Sequence, residues 1–354
     1  MTRLAEIETS NGGTSLAATP RHGGGLDAAR RAFPDAPSPW LDLSTGVNPR
    51  AYPLPAFAPE ILARLPDASA FEDAEAAAAR AYGAPPGLIA VAGAGAQAFI
   101  DLLPRVFPAK RVATLGFCYA EHAGRWRAAG ALVTEAQSLD ELAAMDVAIV
   151  VNPNNPDGRV TPPSDLLSLA RRLGALGGLL VVDEAFADFT PALCVEPLLA
   201  KEPAARENLI VLRSFGKAYG LAGLRLGFAL CSRPRAAALR AAQGPWSVSG
   251  PALAAGAQAL QDAPWLQAAR DFAEQSAQRL DALLAAAGFA ALGGTSLFRL
   301  VESVHAARSF ARLCSAGILA RRFDERPSWL RFGLPAGPRD FERLARALGV
   351  RIDV

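Results

Sequence analysis

One lysine in the sequence stands apart from the other basic residues. Arginine supplies nearly all of the positive charge, and lysine occurs only at Lys110, Lys201 and Lys217. Lys217 lies between Gly216 and Gly220 in the otherwise small and apolar stretch "SFGKAYGLAGLRLGF". An amine can lose its proton and condense with a carbonyl group, whereas a guanidinium stays protonated. The pattern therefore indicates a covalent role for Lys217, and the alternative is an ordinary surface lysine in a turn.

Two further charged residues lie within apolar surroundings. In "LLVVDEAFADF", four apolar residues precede Asp183, which is typical of a buried strand that ends in a carboxylate. Such a carboxylate needs a partner or a cation to be tolerated. Arg225 lies between Leu224 and Leu226. We therefore expect Arg225 to be buried and to bind an anion.

Two loops have the composition of ligand-binding turns. In "VAGAGAQAF", a strand-like segment runs into Gly93, Ala94, Gly95 and Ala96 and then into a helical pattern. Small residues allow the N–H groups at a helix start to reach an anion such as a phosphate. In "NPNNPDG", two Asn-Pro pairs place amides, including Asn155, at the carboxyl edge of a sheet, where ligands bind. The alternative for this second loop is turn chemistry alone.

The elements that must position these residues alternate between strands and helices. Apolar runs typical of buried parallel strands occur at 111–115, 146–151, 178–185, 208–215 and 225–231. Amphipathic segments such as 162–173 supply the crossover helices. Beyond Pro251 the pattern changes to long helices, short strands and a closing helix at 338–348.

This pattern predicts an α/β fold with two domains. We expect a large domain at 36–262, built on a mainly parallel sheet between helices, and a smaller α+β domain at 263–354. Residues 1–35 are predicted to form an N-terminal arm that contributes to the small domain.

Composition excludes several classes of protein. The 354 residues are 51% apolar and 20% charged, with a net charge of +2 and no basic tail, so neither nucleic acid nor a membrane surface is an expected partner. The longest uncharged stretch, 241–261, contains two prolines and is unsuited to crossing a membrane. The four cysteines form no C-x-x-C pair, so we expect no metal site and no disulfides. We expect a cytoplasmic protein that binds a small molecule.

The order and spacing of these motifs resemble those of the fold-type I, aspartate-aminotransferase-like enzymes, over nearly the whole chain. "SFGKAYGLAGLRLGF" and "NPNNPDG" are similar to the histidinol-phosphate aminotransferase branch. "HGGGLDAARRAF", "DEAFADF" and "PWSVSGPA" more closely resemble its relatives, the threonine-phosphate decarboxylases of cobalamin biosynthesis. The resemblance implies pyridoxal 5'-phosphate (PLP) as cofactor and a homodimer with the active site at or near the subunit seam.

The resemblance also implies a role for each motif residue. Lys217 binds the cofactor covalently and moves protons, and Asp183 pairs with the protonated pyridine nitrogen. Tyr119, in "FCYAEH", stacks on the ring, and Asn155 holds the ring hydroxyl. The cofactor phosphate is bound by the loop Gly93, Ala94, Gly95 and Ala96 together with Ser214 and Arg225. Tyr119 as a core aromatic and Ser214 as a turn residue are the alternatives.

The substrate residues implied by the resemblance lie nearer the two ends of the chain. Arg331, in "SWLRFGL", binds the substrate carboxylate, for which a guanidinium fork is suited. Gly46 and Asn155 also line the substrate. Arg321 and His22 occupy positions where this branch handles a substrate phosphate. The alternatives are an exposed cation at a strand end for Arg321 and a solvated loop histidine for His22.

Three positions depart from the family pattern. Phe186 replaces a tyrosine that donates to the ring hydroxyl, and Gly216 replaces a serine or threonine that binds the cofactor phosphate. Leu65 replaces a tyrosine that often reaches the neighbouring subunit's cofactor. The first change agrees with decarboxylation, and the other two bear on cofactor affinity.

PLP chemistry breaks the bond at Cα that is perpendicular to the ring, so substrate orientation selects the reaction. The resemblance implies decarboxylation of L-threonine O-3-phosphate to (R)-1-aminopropan-2-yl phosphate. The alternative enzyme is a histidinol-phosphate aminotransferase or a related class I/II aminotransferase. A non-catalytic PLP-binding sensor domain is a hypothesis of another class. A dinucleotide-dependent dehydrogenase is disfavoured, because "GAGAQAF" lacks the acidic residue expected on a following strand.

Overall fold

The computed structural model describes residues 23–54 and 56–351. The chain forms two compact units. The small unit comprises Met1–Gly46, Leu280–Ala291 and Val301–Val354, and the large unit comprises Val47–Arg279 and Leu292–Leu300. The domain boundaries at 35/36 and 262/263 remain a prediction from the sequence.

Strands and helices alternate along much of the chain. The strands are β1 (Leu41–Asp42), β2 (Leu88–Gly93), β3 (Arg111–Leu115), β4 (Leu132–Ala136), β5 (Val147–Val151), β6 (Leu179–Asp183), β7 (Leu209–Arg213), β8 (Gly227–Ser232), β9 (Ala290–Thr295), β10 (Phe298–Glu302), β11 (Ile318–Leu319), β12 (Arg321–Phe323) and β13 (Arg326–Gly333). The α-helices are α1 (Leu26–Ala32), α2 (Pro59–Ala63), α3 (Ala68–Ala81), α4 (Ala96–Val106), α5 (Ala120–Ala128), α6 (Leu139–Leu142), α7 (Pro163–Ala175), α8 (Pro203–Glu207), α9 (Phe215–Ala218), α10 (Arg233–Gln243), α11 (Gly250–Ala259), α12 (Ala263–Ala286), α13 (Ala306–Ser315) and α14 (Pro338–Leu348).

A seven-stranded sheet forms the centre of the large unit, in the order β2-β8-β7-β6-β5-β3-β4. The pairs β3–β4, β3–β5, β5–β6 and β6–β7 are parallel, as the apolar runs predict. β8 is antiparallel to both β7 and β2, so the expectation of a parallel strand at 225–231 is wrong. A parallel return requires a crossover, usually a helix. Here the segment between β7 and β8 holds only the four-residue α9 and a 3-10 turn at Ala222–Leu224. The chain therefore returns as the neighbouring antiparallel strand.

Apolar side chains cover the sheet on both of its faces. Every residue of β5, β6 and β7 is buried, which is why these strands read as continuous apolar runs. The core around them is filled by side chains that include Phe99, Leu103, Trp126, Ile149, Val181, Ile210 and Leu239. This packing fixes the strand ends, and with them the residues that follow each strand.

The small unit contains short strands and helices. β1 pairs in parallel with β11, and β12 pairs with β13 in antiparallel fashion. A four-stranded sheet has the order β12-β13-β10-β9, in which β9 and β10 contribute residues to both units. The closing helix α14 has the bounds predicted from the sequence. Across 23–54 and 56–351, no helix is both long enough and apolar enough to cross a membrane.

Candidate active site

The carboxyl ends of three neighbouring parallel strands bring the central motifs together. β5 is followed by the loop that starts at Asn152, β6 ends at Asp183, and β7 leads through Ser214 to Lys217. Since β5, β6 and β7 are adjacent and parallel, these residues lie along one edge of the sheet. Ligands of open α/β sheets bind at this edge.

Asp183 is buried and has two hydrogen-bonding partners. The residue is 3% exposed, and its Oδ1 accepts a hydrogen bond of 3.0 Å from the Ala185 N–H. His122 Nε2 lies 2.8 Å from Asp183 Oδ2, and His122 is 1% exposed. Because an ionised carboxylate only accepts, the N–H of His122 donates to it. The hydrogen bond keeps the carboxylate oriented inside the protein.

Sequence reasoning named Tyr119 but missed His122. The two residues lie one helical turn apart at the start of α5, and their rings contact each other edge to face with centroids 6.2 Å apart. A histidine three residues beyond a predicted cofactor-stacking aromatic lies on the same helical face. That spacing was the signal that could have identified it.

Lys217 lies on α9, a helix of four residues. Its Nζ is 5.5 Å from the centroid of the Phe186 ring, which is itself buried. Its backbone carbonyl accepts a hydrogen bond of 2.9 Å from the Asn48 N–H. The amine is therefore presented beside an apolar ring on a helix that another segment of the chain holds in place.

A helix start and a guanidinium form a small cradle at the end of β2. Gly95 precedes α4 with a φ of 81°, a conformation that favours glycine. A Cβ on Gly95 would lie 2.9 Å from Arg225 Nη2, so the guanidinium approaches the backbone at the helix N-terminus. A Cβ on Gly227 would lie 2.4 Å from the Ala96 nitrogen. Glycines thus bring β8, α4 and Arg225 together at a site suited to an anion.

The expectation that Arg225 is buried is wrong. Its side chain is exposed and follows the 3-10 turn Ala222–Leu224, with left-handed backbone angles of φ 56° and ψ 55°. The apolar flanks of Arg225 misled the prediction because β8 begins only at Gly227.

Ser214 immediately precedes α9, is half-buried, and does not cap that helix with its side chain. Ser214 and Arg225 can therefore present polar atoms to a ligand at this edge.

Tyr119 and the loop after β5 complete this group. The Tyr119 hydroxyl donates a hydrogen bond of 3.0 Å to Gln97 Oε1 on α4, and burial raises the pKa of Tyr119 to about 12. The hydroxyl therefore stays protonated at neutral pH. Asn154 Nδ2 donates to Asp157 Oδ1 at 2.7 Å and fixes the turn that carries the half-buried Asn155.

The departures from the family pattern have different structural settings. Phe186 packs edge to face on Phe298 with centroids 5.0 Å apart. A Cβ on Gly216 would lie 2.6 Å from Ala222 Cα, so a serine or threonine there requires the backbone to move. Leu65 is 61% exposed. The glycine at 216 is therefore set by close packing of the backbone.

The predicted substrate arginines both lie in the small unit. Arg331 is 7% exposed, and its Nη2 donates a hydrogen bond of 2.9 Å to the Ser44 carbonyl. Arg321 lies directly opposite Arg331 in the antiparallel β12–β13 pair. Gly46 is buried in the same unit, two residues beyond Ser44. His22 lies outside the described residues.

A buried ionic cluster, which sequence reasoning also missed, surrounds Arg213 at the end of β7. Arg213 Nη1 lies 2.7 Å from Glu184 Oε2, 3.1 Å from Cys194 Sγ and 3.3 Å from Glu196 Oε1. Arg213 Nη2 donates to Asp188 at 3.0 Å. Burial, followed by the charge of Glu196, raises the pKa of Glu184 well above its usual range. The guanidinium occupies the centre of these groups and connects the segment that follows β6 to the end of β7.

Comparison with known proteins assigns the chain to a family. Residues 51–348 match the family "Aminotransferase class I and II". This chain belongs to the family of class I and II aminotransferases. It is 46% identical to a threonine-phosphate decarboxylase of Sinorhizobium sp over 92% of this chain and 97% of the relative. It is 44% identical to a threonine-phosphate decarboxylase of Pseudomonas aeruginosa over 92% of this chain and 96% of the relative.

The fold of this aminotransferase family member is similar to that of solved structures. The histidinol-phosphate aminotransferase of Sinorhizobium meliloti, solved in complex with pyridoxal-5'-phosphate, superposes with a TM-score of 0.78. The two chains are 23% identical, and the match covers 97% of each. The predicted fold-type I architecture, with a mainly parallel central sheet and an additional antiparallel sheet, is thereby confirmed.

The residues of the large unit fit PLP, the cofactor of this family. The cradle that a Cβ on Gly95 would fill lies between a helix N-terminus and a guanidinium, as a phosphate requires. Asp183 is a buried carboxylate that can hold a protonated ring nitrogen, and Lys217 supplies the amine.

Proposed function

We propose that this chain is a PLP-dependent threonine-phosphate decarboxylase. It converts L-threonine O-3-phosphate into carbon dioxide and (R)-1-aminopropan-2-yl phosphate, a step of cobalamin biosynthesis. The similarity to two threonine-phosphate decarboxylases over nearly the full length of the chain carries the proposal. The geometry of the large unit supports it, because it supplies an amine, a buried carboxylate and an anion cradle at one sheet edge.

Three residues of the large unit support the chemistry. PLP, when bound, supplies an electron sink for the carbon that loses its carboxylate. Asp183 would hold the protonated ring nitrogen, and His122 orients the Asp183 carboxylate through its hydrogen bond of 2.8 Å. Lys217 binds the cofactor through Nζ and then delivers a proton to the substrate carbon.

Other residues of the large unit hold the cofactor in place. Arg225 and the first N–H groups of α4 bind its phosphate, with Ser214 as a further donor. Tyr119 contacts the ring, held by its hydrogen bond to Gln97, and Asn155 holds the ring hydroxyl. Because the side chain of Phe186 has no hydroxyl, Asn155 carries that last contact without help from position 186.

The two arginines of the small unit bind the substrate's anions. Like charges directly opposite each other on neighbouring strands are destabilising. Arg321 and Arg331 occupy such positions, which suits a ligand with two anionic groups. Threonine phosphate carries a carboxylate and a phosphate. Arg331 would bind the carboxylate, and Arg321 would bind the phosphate.

The proposal includes a homodimer in the cytoplasm. Leu62 on α2 and Leu65, two residues beyond its end, are 68% and 61% exposed, as expected for a surface that a second subunit covers. Cys194, Cys231 and Cys314 are buried as thiols, as expected in a reducing compartment.

The decisive experiment measures the products formed from threonine phosphate. The purified protein with PLP should release one carbon dioxide per aminopropanol phosphate formed, with no keto acid present. An aminotransferase needs a keto acid and releases no carbon dioxide. Turnover that depends on added 2-oxoglutarate, with histidinol phosphate as amino donor, would replace the proposal with the aminotransferase alternative.

A further inference from the structure

The helix that carries Lys217 is too short to hold itself in place. α9 spans four residues, from Phe215 to Ala218. A helix of this length has no interior, because the last four carbonyls of any helix have no partner within it. Isolated short helices are also unstable in water. The orientation of Lys217 therefore depends on groups outside α9.

Residues 48–52 supply hydrogen-bond donors to three consecutive carbonyls at this point. The Asn48 N–H donates to the Lys217 carbonyl at 2.9 Å, and Asn48 Nδ2 donates to the Ala218 carbonyl at 2.8 Å. The Tyr52 N–H donates to the Tyr219 carbonyl at 2.8 Å. These contacts cap the carboxyl end of the lysine's helix from a segment about 170 residues earlier in the chain.

The Asn48 side chain uses both ends of its amide. It is 2% exposed, and its Oδ1 accepts a hydrogen bond of 3.0 Å from the Arg50 N–H. One side chain therefore fixes the turn at Arg50 and the carbonyl of Ala218 at the same time. An aliphatic side chain at this position would leave the Arg50 N–H and the Ala218 carbonyl without these hydrogen bonds.

The two backbone segments also lie in close contact. Gly220 has a φ of 67°, and a Cβ on it would lie 2.7 Å from the Asn48 carbonyl oxygen and 2.7 Å from Ala51 Cα. Close contact leaves little room for the turn after α9 to shift. The segment at 48–52 thus contacts α9 and the turn that follows it through both hydrogen bonds and packing.

We propose that Asn48 is a positioning residue for Lys217: its backbone and side-chain amides cap α9 and set the orientation of the lysine amine. A displacement of about 1 Å at a reacting group can lower a rate by about a hundredfold. Proton delivery by Nζ requires such accuracy. The inference rests on the role of Lys217 in the proposed function.

The test uses variants that remove the side-chain cap in two ways. Asn48→Asp keeps the acceptor for the Arg50 N–H and loses the donor to the Ala218 carbonyl, whereas Asn48→Ala loses both. Asn208→Ala is the matched control, because Asn208 Nδ2 also donates to a helical carbonyl, that of Ala204. Asn48→Ser serves if the other Asn48 variants do not fold.

Three measurements separate positioning from general stability. These are kcat and KM for threonine phosphate, the pH titration of the visible absorption band of the bound cofactor, and the rate at which apoprotein takes up PLP. We expect both Asn48 variants to lower kcat by about ten- to a hundredfold while KM changes little. We also expect the titration midpoint to shift and cofactor uptake to slow. Asn208→Ala should leave all three unchanged.

Two results would overturn the inference. One is a folded Asn48 variant whose absorption band titrates as in the parent, whatever its thermal stability. The other is equal changes in Asn48→Ala and Asn208→Ala. Failure of the proposed function is distinguishable, because the parent protein would then not decarboxylate threonine phosphate or would not bind PLP through Lys217.

Discussion

His122 Nε2 and Asp183 Oδ2 lie 2.8 Å apart, and both side chains are buried. A buried carboxylate needs such a partner, because burying a polar group without a hydrogen bond is costly. The pair connects α5 to the end of β6. It places a hydrogen-bonding partner behind the residue on which the proposed chemistry depends.

Replacing Asp183 should abolish most of the activity. We expect Asp183→Asn to lower kcat by about a hundredfold or more, since a neutral amide cannot keep the ring nitrogen protonated. His122→Phe should lower kcat by a smaller factor, because it acts through Asp183. Steady-state kinetics and circular dichroism would check this. A folded Asp183→Asn protein with near-parental turnover would contradict the assignment.

Lys217 should be the residue that carries the cofactor. The protein with PLP should be yellow, and borohydride treatment should bleach the colour and fix the cofactor to the peptide that contains Lys217. Lys110→Arg and Lys201→Arg are the controls, because both lysines are exposed and outside the site. A labelled peptide that contains Lys110 or Lys201 would refute the covalent role of Lys217.

Arg321 should govern both affinity and reaction choice. Arg321→Ala removes a charge-assisted contact of about 1.5–3 kcal/mol, which lowers kcat/KM by about ten- to a hundredfold. A loosely held substrate rotates, so the share of turnovers that end as pyridoxamine phosphate should rise. Arg322→Ala is the control, since Arg322 pairs with Asp324 at 2.8 Å. Parental product ratios in Arg321→Ala would remove Arg321 as the phosphate anchor.

The cluster around Arg213 should make stability depend on pH. Burial and the charge of Glu196 raise the pKa of Glu184. At pH values above the usual pKa range of a glutamate, the folded state therefore binds more protons than the unfolded state. The free energy of unfolding should therefore fall as pH rises through that window. Each pKa unit corresponds to about 1.4 kcal/mol.

Glu196→Gln removes a neighbouring like charge, so the free energy of unfolding should fall less steeply with pH than in the parent. Glu202→Gln is the control, because Glu202 forms a partly exposed pair with Arg171 at 2.8 Å. Urea unfolding between about pH 5 and pH 9 measures both slopes. If the free energy of unfolding changes equally with pH in the parent and in Glu196→Gln, the charge of Glu196 does not contribute to this pH dependence.

The exposed Leu62 on α2 and Leu65 just beyond it should lie in a subunit interface. Sedimentation should show a dimer for the parent, and the double variant Leu62→Glu, Leu65→Glu should dissociate, because charged groups in an apolar interface are costly. Leu176→Glu is the control at a site that is 74% exposed elsewhere. An active parent monomer at working concentration would contradict this prediction.

The candidate reactive residues and most of the strands and helices could be predicted from local sequence features. A rare lysine in an arginine-rich chain and a carboxylate after four apolar residues are local features, so Lys217 and Asp183 could be named without a structure. The buried parallel strands could also be predicted, because continuous apolar runs are imposed by burial on both faces. The closing helix α14 follows from its own local pattern for a similar reason.

The distant partners of these residues became visible only once the chain was folded. His122 and Asp183 are 61 residues apart, and Asn48 and Ala218 are 170 apart. The reversal of β8, the exposure of Arg225 and the cluster around Arg213 likewise depend on how strands are ordered and connected. Continuous apolar runs indicate which strands are buried. The partner that a residue meets there is set by strand order and by close backbone approach.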